Sequence, residues 1–284
     1  MDQTIQESIT AAYEALPPGE RRLADTVLSK LNNLASYTAT ELAAEAAVSK
    51  ATAARFFRRV GYRSFGHARR QARAEASLSS PLFALAGVDP KERAVDALSR
   101  HVAADIRNLS ESFKLSEAKL IGQAATLLAQ APRLRVTGMR NGHFVASYGA
   151  YLLAQLREDV VLLPGSALTL AEDLASLKKG DALLAVDFRR RAAMLPAIVG
   201  AARRVGARLV FLTNPGLPAL ARPGDIVLHC LTEGASIFAS NVAAMSIVNY
   251  LCASVATELG RKSRKRLEAI EALHATLGDI THTR

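Results

Sequence analysis

Five short apolar runs in the second half of the chain restrict its fold more than any other feature of the sequence. They are LRVTGM (134–139), VVLLPG (160–165), DALLAVDF (181–188), ARLVFLTN (207–214) and DIVLHCL (225–231). The first four are separated by helix-like segments such as GHFVASYGAYLLAQL. Strands that lack polar alternation and are spaced by helices are typical of a parallel sheet covered on both faces. We therefore predict a doubly wound α/β domain with a five-stranded parallel sheet over residues 132–260.

Residues 1–76 follow a different pattern, with helical spacing throughout and no strand signal. Thr38 and Glu41 form a capping-box pattern, which predicts a helix start at Thr38. A following helix is predicted from Ser49 to Gly61, a residue suited to a left-handed helix end. The tight turn between these helices falls at residues 46–48. Two short helices joined in this way predict an all-α helix-turn-helix domain over residues 1–76.

Two further segments complete the predicted organisation. Residues 77–90, SLSSPLFALAGVDP, contain two prolines, a glycine and three serines, and helical spacing resumes from Lys91 to about Gln130. We assign residues 77–131 to a linker and connecting helices, and residues 261–284 to a charged C-terminal helix and tail. The apolar segment from Phe238 to Leu259 is interrupted by polar residues, so we interpret it as a core helix or an oligomerisation surface rather than a membrane span.

The predicted helix SKATAARFFRRV has a basic face. Residues 50–73 contain eight basic and no acidic residues, in a chain of formal net charge +10. Ala53, Phe56, Phe57 and Val60 form an apolar stripe, and Arg55 falls on the opposite face. Such a helix enters the DNA major groove with its N-terminal residues near base edges. The predicted DNA-binding residues are Ser49, Lys50, Ala51, Thr52, Arg55, Arg58, Arg59 and Arg63.

The roles within this set follow from chemistry. Lys50, Ala51, Thr52 and Arg55 are predicted to contact bases, because arginine suits guanine and a small methyl group suits thymine. The later arginines are predicted mainly to neutralise phosphates. Two alternatives are a solvated basic helix on a dimerisation domain and a nucleic-acid binder without sequence preference.

The segment TATELAAEAAVSKATAARFFRRVGYRSFGHARRQ (38–71) resembles the helix-turn-helix of RpiR/MurR-type bacterial transcriptional regulators. Residues at the positions of the family's sequence pattern match it at Leu42-Ala43, Val48-Ser49, Ala51-Thr52, Arg55-Phe56, Gly61-Tyr62 and Phe65. Ala47 stands where the family's turn has glycine. The resemblance implies a sugar-isomerase (SIS) domain that senses a sugar phosphate, and the strand and helix order over 132–260 is similar to that of SIS domains.

Ligands of open parallel sheets bind beyond the carboxyl ends of the strands. Three consecutive arginines, Arg189, Arg190 and Arg191, follow the third predicted strand there, and guanidinium groups suit carboxylates and phosphates. The predicted ligand-binding residues are Arg140, Asn141, Ser166, Arg189, Arg190, Arg191, Thr213 and Glu233. Two other interpretations of the arginines stay open, namely an interface or salt-bridge network and a solvated surface.

The loop after the third strand departs from the resemblance. Sugar-phosphate-binding SIS domains have a hydroxyl-rich S.SG.T loop there, whereas this chain has Asp187, Arg189, Arg190 and Ala192 at the matching positions. Thr213-Asn214 fits the family's fourth-strand ending. We therefore predict a small anionic effector, either a sugar phosphate or another carboxylate or phosphate.

These patterns together predict a transcriptional regulator without enzymatic activity. The alternative class is a sugar-phosphate isomerase, for which Glu233 and His229 are the candidate acid–base residues. We expect no cofactor and no metal site. The two cysteines, Cys230 and Cys252, lie far apart in apolar segments, which favours buried thiols in a reducing cytoplasm. The expected partners are double-stranded operator DNA, the effector and further copies in a homodimer or homotetramer, with no membrane.

Overall fold

A computed structural model describes residues 5–30, 34, 37–69, 71, 81–85, 93–165, 170–217 and 220–280 of the 284-residue chain. The chain divides into two compact units, the first within residues 1–90 and the second within residues 91–235 and 239–284. Each unit has its own apolar core.

The first unit is helical wherever it forms regular structure in the described residues. Its helices are α1 (Ile5–Ala12), α2 (Pro18–Ser29), α3 (Ala39–Glu45), α4 (Lys50–Arg59) and α5 (Pro81–Leu85), and Tyr13–Ala15 form a 3₁₀ turn. Pro18 at the first position of α2 suits a helix start, since proline lacks the backbone N–H that would be unpaired there. Helices α1 to α4 meet in one core, where Phe56 and Phe57 of α4 are fully buried.

The helix starts follow the sequence signals. The Thr38 hydroxyl accepts a hydrogen bond from the Glu41 backbone N–H at 3.2 Å, and the Glu41 carboxylate accepts one from the Thr38 N–H at 2.7 Å. The bonds that the Glu41 carboxylate accepts from the Thr38 backbone N–H and from the Thr38 hydroxyl, the latter at 2.9 Å, hold the pKa of Glu41 below its usual value. At the start of α4, the Ser49 hydroxyl accepts from the Thr52 N–H at 3.1 Å. The capping box and the Ser49 helix start are both confirmed.

The turn between α3 and α4 is closed by backbone hydrogen bonds, among them Val48 N–H to the Ala43 carbonyl at 2.8 Å. Ala47 has a φ of 50° in this turn, a left-handed conformation that costs a residue with a side chain roughly 1–2 kcal/mol. Arg22 of α2 donates from Nε to the Ala46 carbonyl at 3.3 Å. The surrounding contacts therefore hold a turn that alanine alone would not favour.

The second unit alternates helices and strands. In chain order it contains α6 (Ala94–Leu115), α7 (Ala118–Gln130), β1 (Leu134–Gly138), α8 (Asn141–Leu156), β2 (Val160–Leu163), α9 (Leu170–Ala175), β3 (Ala182–Asp187), α10 (Leu195–Arg204), β4 (Arg208–Thr213), β5 (Ile226–His229), α11 (Val242–Leu259) and α12 (Arg261–Leu277). Helices α6 and α7 lie within the segment that the sequence assigned to a linker and connecting helices.

Within the described residues the strands form a five-stranded parallel sheet of order β2-β1-β3-β4-β5. The predicted α/β class and the parallel sheet are confirmed. This order reverses direction between β1 and β3, because the chain moves outward from β1 to β2 and then returns to the other side of β1. Ligands of doubly wound folds bind at such a switch point, outside the carboxyl ends of the strands.

Both faces of the sheet are covered. One core cluster joins the sheet to α7, α8 and α11, and a second joins it to α10 and to Leu177. Helix α11 is long and apolar enough to cross a membrane by length and composition alone. It contributes Ile247, Val248 and Leu251, among others, to the first cluster. Of the two sequence interpretations of this helix, the structure supports the core role.

Both cysteines lie in this core as free thiols. Burial raises the pKa of Cys230 and of Cys252 to about 12. We expect neither thiol to react with a disulfide reagent such as DTNB at pH 8 in the folded protein, because both are inaccessible and protonated. Two thiols per chain should react after unfolding in guanidinium chloride. Rapid reaction of either thiol before unfolding would contradict the burial.

Candidate functional sites

Helix α4 separates an apolar side from a basic side. Ala53, Phe56 and Phe57 face the core, which confirms the predicted stripe. The other side exposes Lys50, Ala51, Arg55, Arg58 and Arg59. A basic helix face that is free of carboxylates can approach the phosphates of DNA without a desolvated acid opposing it.

A groove of about 420 Å³ runs beside α4. Lys50, Arg58 and Arg63 line it, together with the aromatic rings of Phe57 and Phe65. Arg63 lies beyond the end of α4, so the groove combines the helix with the loop that follows it. Three cationic side chains around one concave surface suit a phosphodiester backbone.

Two residues of the predicted DNA-binding set take part in the start of α4. The Ser49 and Thr52 hydroxyl oxygens are 2.9 Å apart, and Thr52 Oγ1 also accepts from Arg55 Nη2 at 3.3 Å. Ser49 therefore caps the helix. The bond that Arg55 donates to Thr52 holds the Arg55 guanidinium near the N-terminal turn, which is the part of a recognition helix that contacts bases.

Arg59 differs from its neighbours because it has an acidic partner within the unit. Its Nε lies 3.0 Å from a carboxylate oxygen of Glu20, whose side chain is only 4% exposed. We expect Arg59→Ala to destabilise the first unit by about 2 kcal/mol, less than for a fully buried pair because Arg59 is itself half-exposed. Urea unfolding followed by circular dichroism measures this change.

The matched control is Arg58→Ala. Among the described residues, Arg58 donates only to the Ala54 carbonyl of its own helix. Its removal should therefore change stability little and weaken DNA binding instead. Equal stability losses in the two variants would contradict the structural role of Arg59.

In the second unit, the sheet register places three strand ends side by side. Gly138 of β1 is paired with Val186 of β3, and Asp187 of β3 with Thr213 of β4. The segments after β1, β3 and β4 therefore start at one edge of the sheet. Arg140 and Arg190 lie in two of them, both exposed and both with positive φ.

Arg191 is held by a carboxylate of its own loop. Its Nε donates to Asp187 Oδ1 at 2.8 Å and to Oδ2 at 2.9 Å, and its Nη2 donates to Oδ2 as well. Asp187 is 2% exposed, so the arginine neutralises a buried charge. The salt-bridge interpretation from the sequence thus describes Arg191, whereas Arg189 and Arg190 have no acidic partner in an ion pair among the described residues.

Asn214 joins the segments at this edge. Its Oδ1 accepts from the Arg189 N–H at 2.9 Å, and its Nδ2 donates to the Cys230 carbonyl and to Thr232 Oγ1, both at 2.9 Å. The side chain is buried. One amide therefore fixes the arginine loop against the segment that follows β5.

Two polar residues of α6, together with Ser116 directly after its last residue, hold the other side of that segment. Asn108 Nδ2 donates to the Glu233 carbonyl at 2.7 Å, Ser112 Oγ accepts from the Leu231 N–H at 2.8 Å, and Ser116 bonds both backbone groups of His229. All three are at most 1% exposed. The sequence analysis does not predict a role for these three residues, although they repeat every four positions and therefore lie on one face of a helix.

The other predicted ligand residues differ in exposure and in position in the structure. Asn141 is exposed at the start of α8, and its carbonyl accepts from Asn241 Nδ2 at 3.3 Å. Thr213 is half-buried at the end of β4, and Glu233 is exposed one residue beyond Thr232. Ser166 lies outside the described residues.

In the part of the chain that the structure describes, no group of three or more His, Cys, Asp or Glu side chains could hold a metal ion. His229 has a buried Nδ1 without a hydrogen-bond partner, and its backbone is bonded to Ser116. The carbonyl of Glu233, the other candidate acid–base residue, is held by Asn108.

Comparison with known families divides the chain as the structure does. Residues 3–78 match the model of the helix-turn-helix domain of the rpiR family, and residues 127–254 match that of the SIS domain. HTH-type transcriptional regulator HexR of Pseudomonas aeruginosa is 24% identical over 279 residues, 95% of either chain. Bifunctional protein glk of Burkholderia thailandensis is 25% identical over 277 residues. The match covers 95% of this chain but only 42% of the length of the glk protein.

Solved structures show the same fold. The sugar isomerase domain of an RpiR transcription factor from Sphaerobacter thermophilus has a TM-score of 0.57 at 24% identity, and it covers 62% of this chain and 98% of that one. The Vibrio vulnificus NanR protein complexed with ManNAc-6P has a TM-score of 0.58 at 20% identity, covering 96% of this chain and 99% of that one.

Proposed function

Since the chain belongs to the RpiR-type transcriptional regulators, with an rpiR-family helix-turn-helix domain ahead of a SIS domain, we propose that it reads operator DNA with α4 and senses a small anion at the carboxyl ends of β1, β3 and β4. The first half of the proposal rests on the exposed basic face of α4, on which the helix itself carries no acidic residue. We place its site of action in the cytoplasm, where operator DNA and metabolites meet.

Base reading falls to the first turns of α4. Lys50, Ala51 and Arg55 are exposed there, and the bond that Arg55 donates to Thr52 orients its guanidinium. Arg58 and Arg63, which line the groove, bind phosphates. Arg59 contributes charge, but its ion pair with Glu20 makes it mainly a residue that stabilises the domain.

Two substitutions separate these roles. Arg55→Ala should cost about 1–3 kcal/mol of operator affinity and relax the preference at one base pair. Arg58→Ala should weaken binding to every sequence equally and reduce the salt slope of the affinity by about one. Fluorescence anisotropy at several salt concentrations measures both, with Arg204→Ala in the second unit as a control of equal charge. Identical behaviour of the three variants would contradict the proposal.

The second half of the proposal concerns the effector. Arg140, Arg189 and Arg190 offer cationic groups at the switch point of the sheet, next to the amino end of α8, which also favours anions. NanR, a structural relative, is complexed with ManNAc-6P, which supports a sugar phosphate as the effector here too. In this chain, arginines take the place of loop hydroxyl groups.

Calorimetric titration tests the effector site. The probes are hexose 6-phosphates, N-acetylmannosamine 6-phosphate and inorganic phosphate. We expect one sugar phosphate to bind and an Arg189→Ala/Arg190→Ala variant to lose at least tenfold in affinity. Unchanged affinity in the variant would remove both arginines from the site. Binding of inorganic phosphate alone with equal affinity would indicate an anion site that does not recognise a sugar.

We propose that the two sites are coupled within a homodimer or homotetramer and that the chain regulates without catalysing a reaction. The hydrogen bonds of Asn214 and α6 provide a physical connection from the arginine loop to the first helix of the second unit. Dimers read half-sites about 34–36 Å apart, so small movements change affinity. A coupling of about 1–3 kcal/mol between effector and DNA is typical, and it is reciprocal.

A further inference from the structure

Most of the chain's positive charge lies outside the helix-turn-helix unit. Residues 1–90 contain 11 lysines and arginines against 9 aspartates and glutamates, whereas residues 91–284 contain 25 against 17. The second part of the chain therefore carries a net charge of +8 out of the total of +10. Its densest run is RKSRKR at residues 261–266, with five basic residues in six positions at the start of α12. Short runs this rich in lysine and arginine are typical of patches that bind nucleic acid.

The run forms one exposed face of α12. Ser263 is buried on one side of the helix, whereas the exposed residues are Arg261, Lys262, Arg264 and Lys265. With about 100° between successive residues, these four cations fall within roughly 160° of the helix circumference, on the side opposite Ser263. We call these four residues the α12 basic face.

Three of the four cations have no acidic partner in an ion pair among the described residues. Arg264 Nε donates to Glu268 Oε1 at 2.9 Å, so one positive charge of the face is offset. The other three, which are in no ion pair within the part of the chain that the structure describes, are Arg261, Lys262 and Lys265. The α12 basic face therefore presents a surplus of positive charge to the solvent.

Contacts on the buried side of α12 fix the direction of this face. Ser263 Oγ donates to the Ala256 carbonyl at 3.0 Å and to the Gly260 carbonyl at 2.8 Å. Arg266 Nε donates to the Ala154 carbonyl at 2.7 Å. These bonds join the start of α12 to α8 and α11. Cations on a helix that is held in place lose less conformational freedom on binding than cations on a flexible tail.

We propose that the α12 basic face is a second DNA-binding surface, which contacts the phosphates of duplex DNA and reads no bases. Arg261 and Lys265 are one turn apart, with a rise of about 6 Å, which is close to two steps of about 3.4 Å along one DNA strand. We choose DNA as the polyanion because the first unit is a helix-turn-helix domain of the rpiR family, which brings DNA to the same chain and raises its local concentration.

The salt dependence of DNA binding by the intact protein tests this surface. The probe is a fluorescent duplex of random sequence, and anisotropy is measured at several salt concentrations. In the α12 variant, Lys262→Ala/Lys265→Ala, the slope of log affinity against log salt should fall by about two, and the affinity at about 0.1 M salt should fall at least tenfold. Both lysines are exposed, so the variant should keep the circular dichroism of the unsubstituted chain.

The matched control is Lys178→Ala/Lys179→Ala. These adjacent lysines are also exposed in the second unit, and the two substitutions change the net charge of the chain by the same amount. We expect the control to bind the duplex with the salt slope of the unsubstituted chain. An unchanged slope in the α12 variant, or an equal loss in the control, would overturn the proposal.

The same measurement separates this surface from operator reading by α4. The α12 variant should keep the ratio of operator affinity to random-sequence affinity, because phosphate contacts carry no sequence information, whereas Arg55→Ala should lower that ratio. If the unsubstituted chain shows no operator preference while the α12 variant still loses its slope, base reading by α4 fails and the α12 surface stands. A full slope in the α12 variant together with operator preference contradicts the α12 surface alone.

The alternative occupant of the α12 basic face is an anionic membrane surface. Helices that lie in a membrane interface place Trp, Phe or Leu opposite their basic residues and insert them into the lipid, whereas Ser263 on that side of α12 is buried in the unit. Sedimentation with vesicles of phosphatidylglycerol and phosphatidylcholine distinguishes the two. Vesicle binding that is lost in the α12 variant, with unchanged DNA binding, would assign the face to a membrane and overturn the proposal.

Discussion

Arg191→Ala is expected to lower the free energy of unfolding of the second unit by about 3 kcal/mol, because it leaves a buried carboxylate without a partner. Asp187 is 2% exposed, and among the described residues its carboxylate accepts hydrogen bonds from Arg191 alone. The Arg191 side chain is itself only 21% exposed, so water replaces little of the lost interaction. Urea unfolding followed by far-ultraviolet circular dichroism, fitted with one transition for each unit, measures the loss.

The neighbouring Arg190→Ala is the matched control. Arg190 is exposed, so its removal should leave stability nearly unchanged. An Asp187→Ala/Arg191→Ala variant should regain part of the loss, since no buried charge is then left unpaired. Equal stability of the Arg190→Ala and Arg191→Ala variants would show that the arginine loop is a solvated surface.

Gly138→Ala is expected to have an effect of similar size for a steric reason. A Cβ at Gly138 would lie 2.4 Å from the Gly142 carbonyl oxygen and 2.8 Å from the Ala146 Cβ. β1 cannot move away, because it is hydrogen-bonded between β2 and β3. We expect a loss of about 3 kcal/mol in the same unfolding experiment, the upper part of the range for overpacking.

Gly122→Ala is expected to change the stability of the same unit in the opposite direction. Gly122 lies inside α7, and a Cβ there would meet nothing within 4 Å. Alanine should stabilise the helix by about 0.5–1 kcal/mol. A destabilised Gly122→Ala variant would contradict the open space described beside Gly122 in α7. A Gly138→Ala variant as stable as the unsubstituted chain would contradict the close contact of β1 with Gly142 and Ala146 of α8.

Local signals in the sequence predicted the elements that local chemistry controls. The Thr38 capping box and the Ser49 cap involve residues three positions apart, so the pattern and the structure coincide. The apolar runs located the five strands of the described sheet, because a strand covered on both faces is apolar along most of its length. The amphipathic face of α4 followed from spacing alone.

The candidate sites were less predictable, because they depend on contacts between distant residues. The sequence places Arg189, Arg190 and Arg191 together, but only the folded loop shows that Arg191 is paired with Asp187. The sequence predicts Arg59 as a phosphate contact, but in the structure it is paired with Glu20, which lies 39 positions earlier in the chain. The bonds of Asn214 to the arginine loop and to the segment after β5 likewise require the tertiary fold.

The most direct test of the account is a selection of DNA from a random-sequence pool by the intact protein, in the presence of excess non-specific competitor. We predict enrichment of an inverted repeat whose half-sites are about one helical turn apart, and a relaxed base preference when Arg55→Ala is used. A pool that stays random, with binding that depends only on salt and DNA length, would show that α4 binds DNA by electrostatic attraction without reading bases. That result would contradict operator reading.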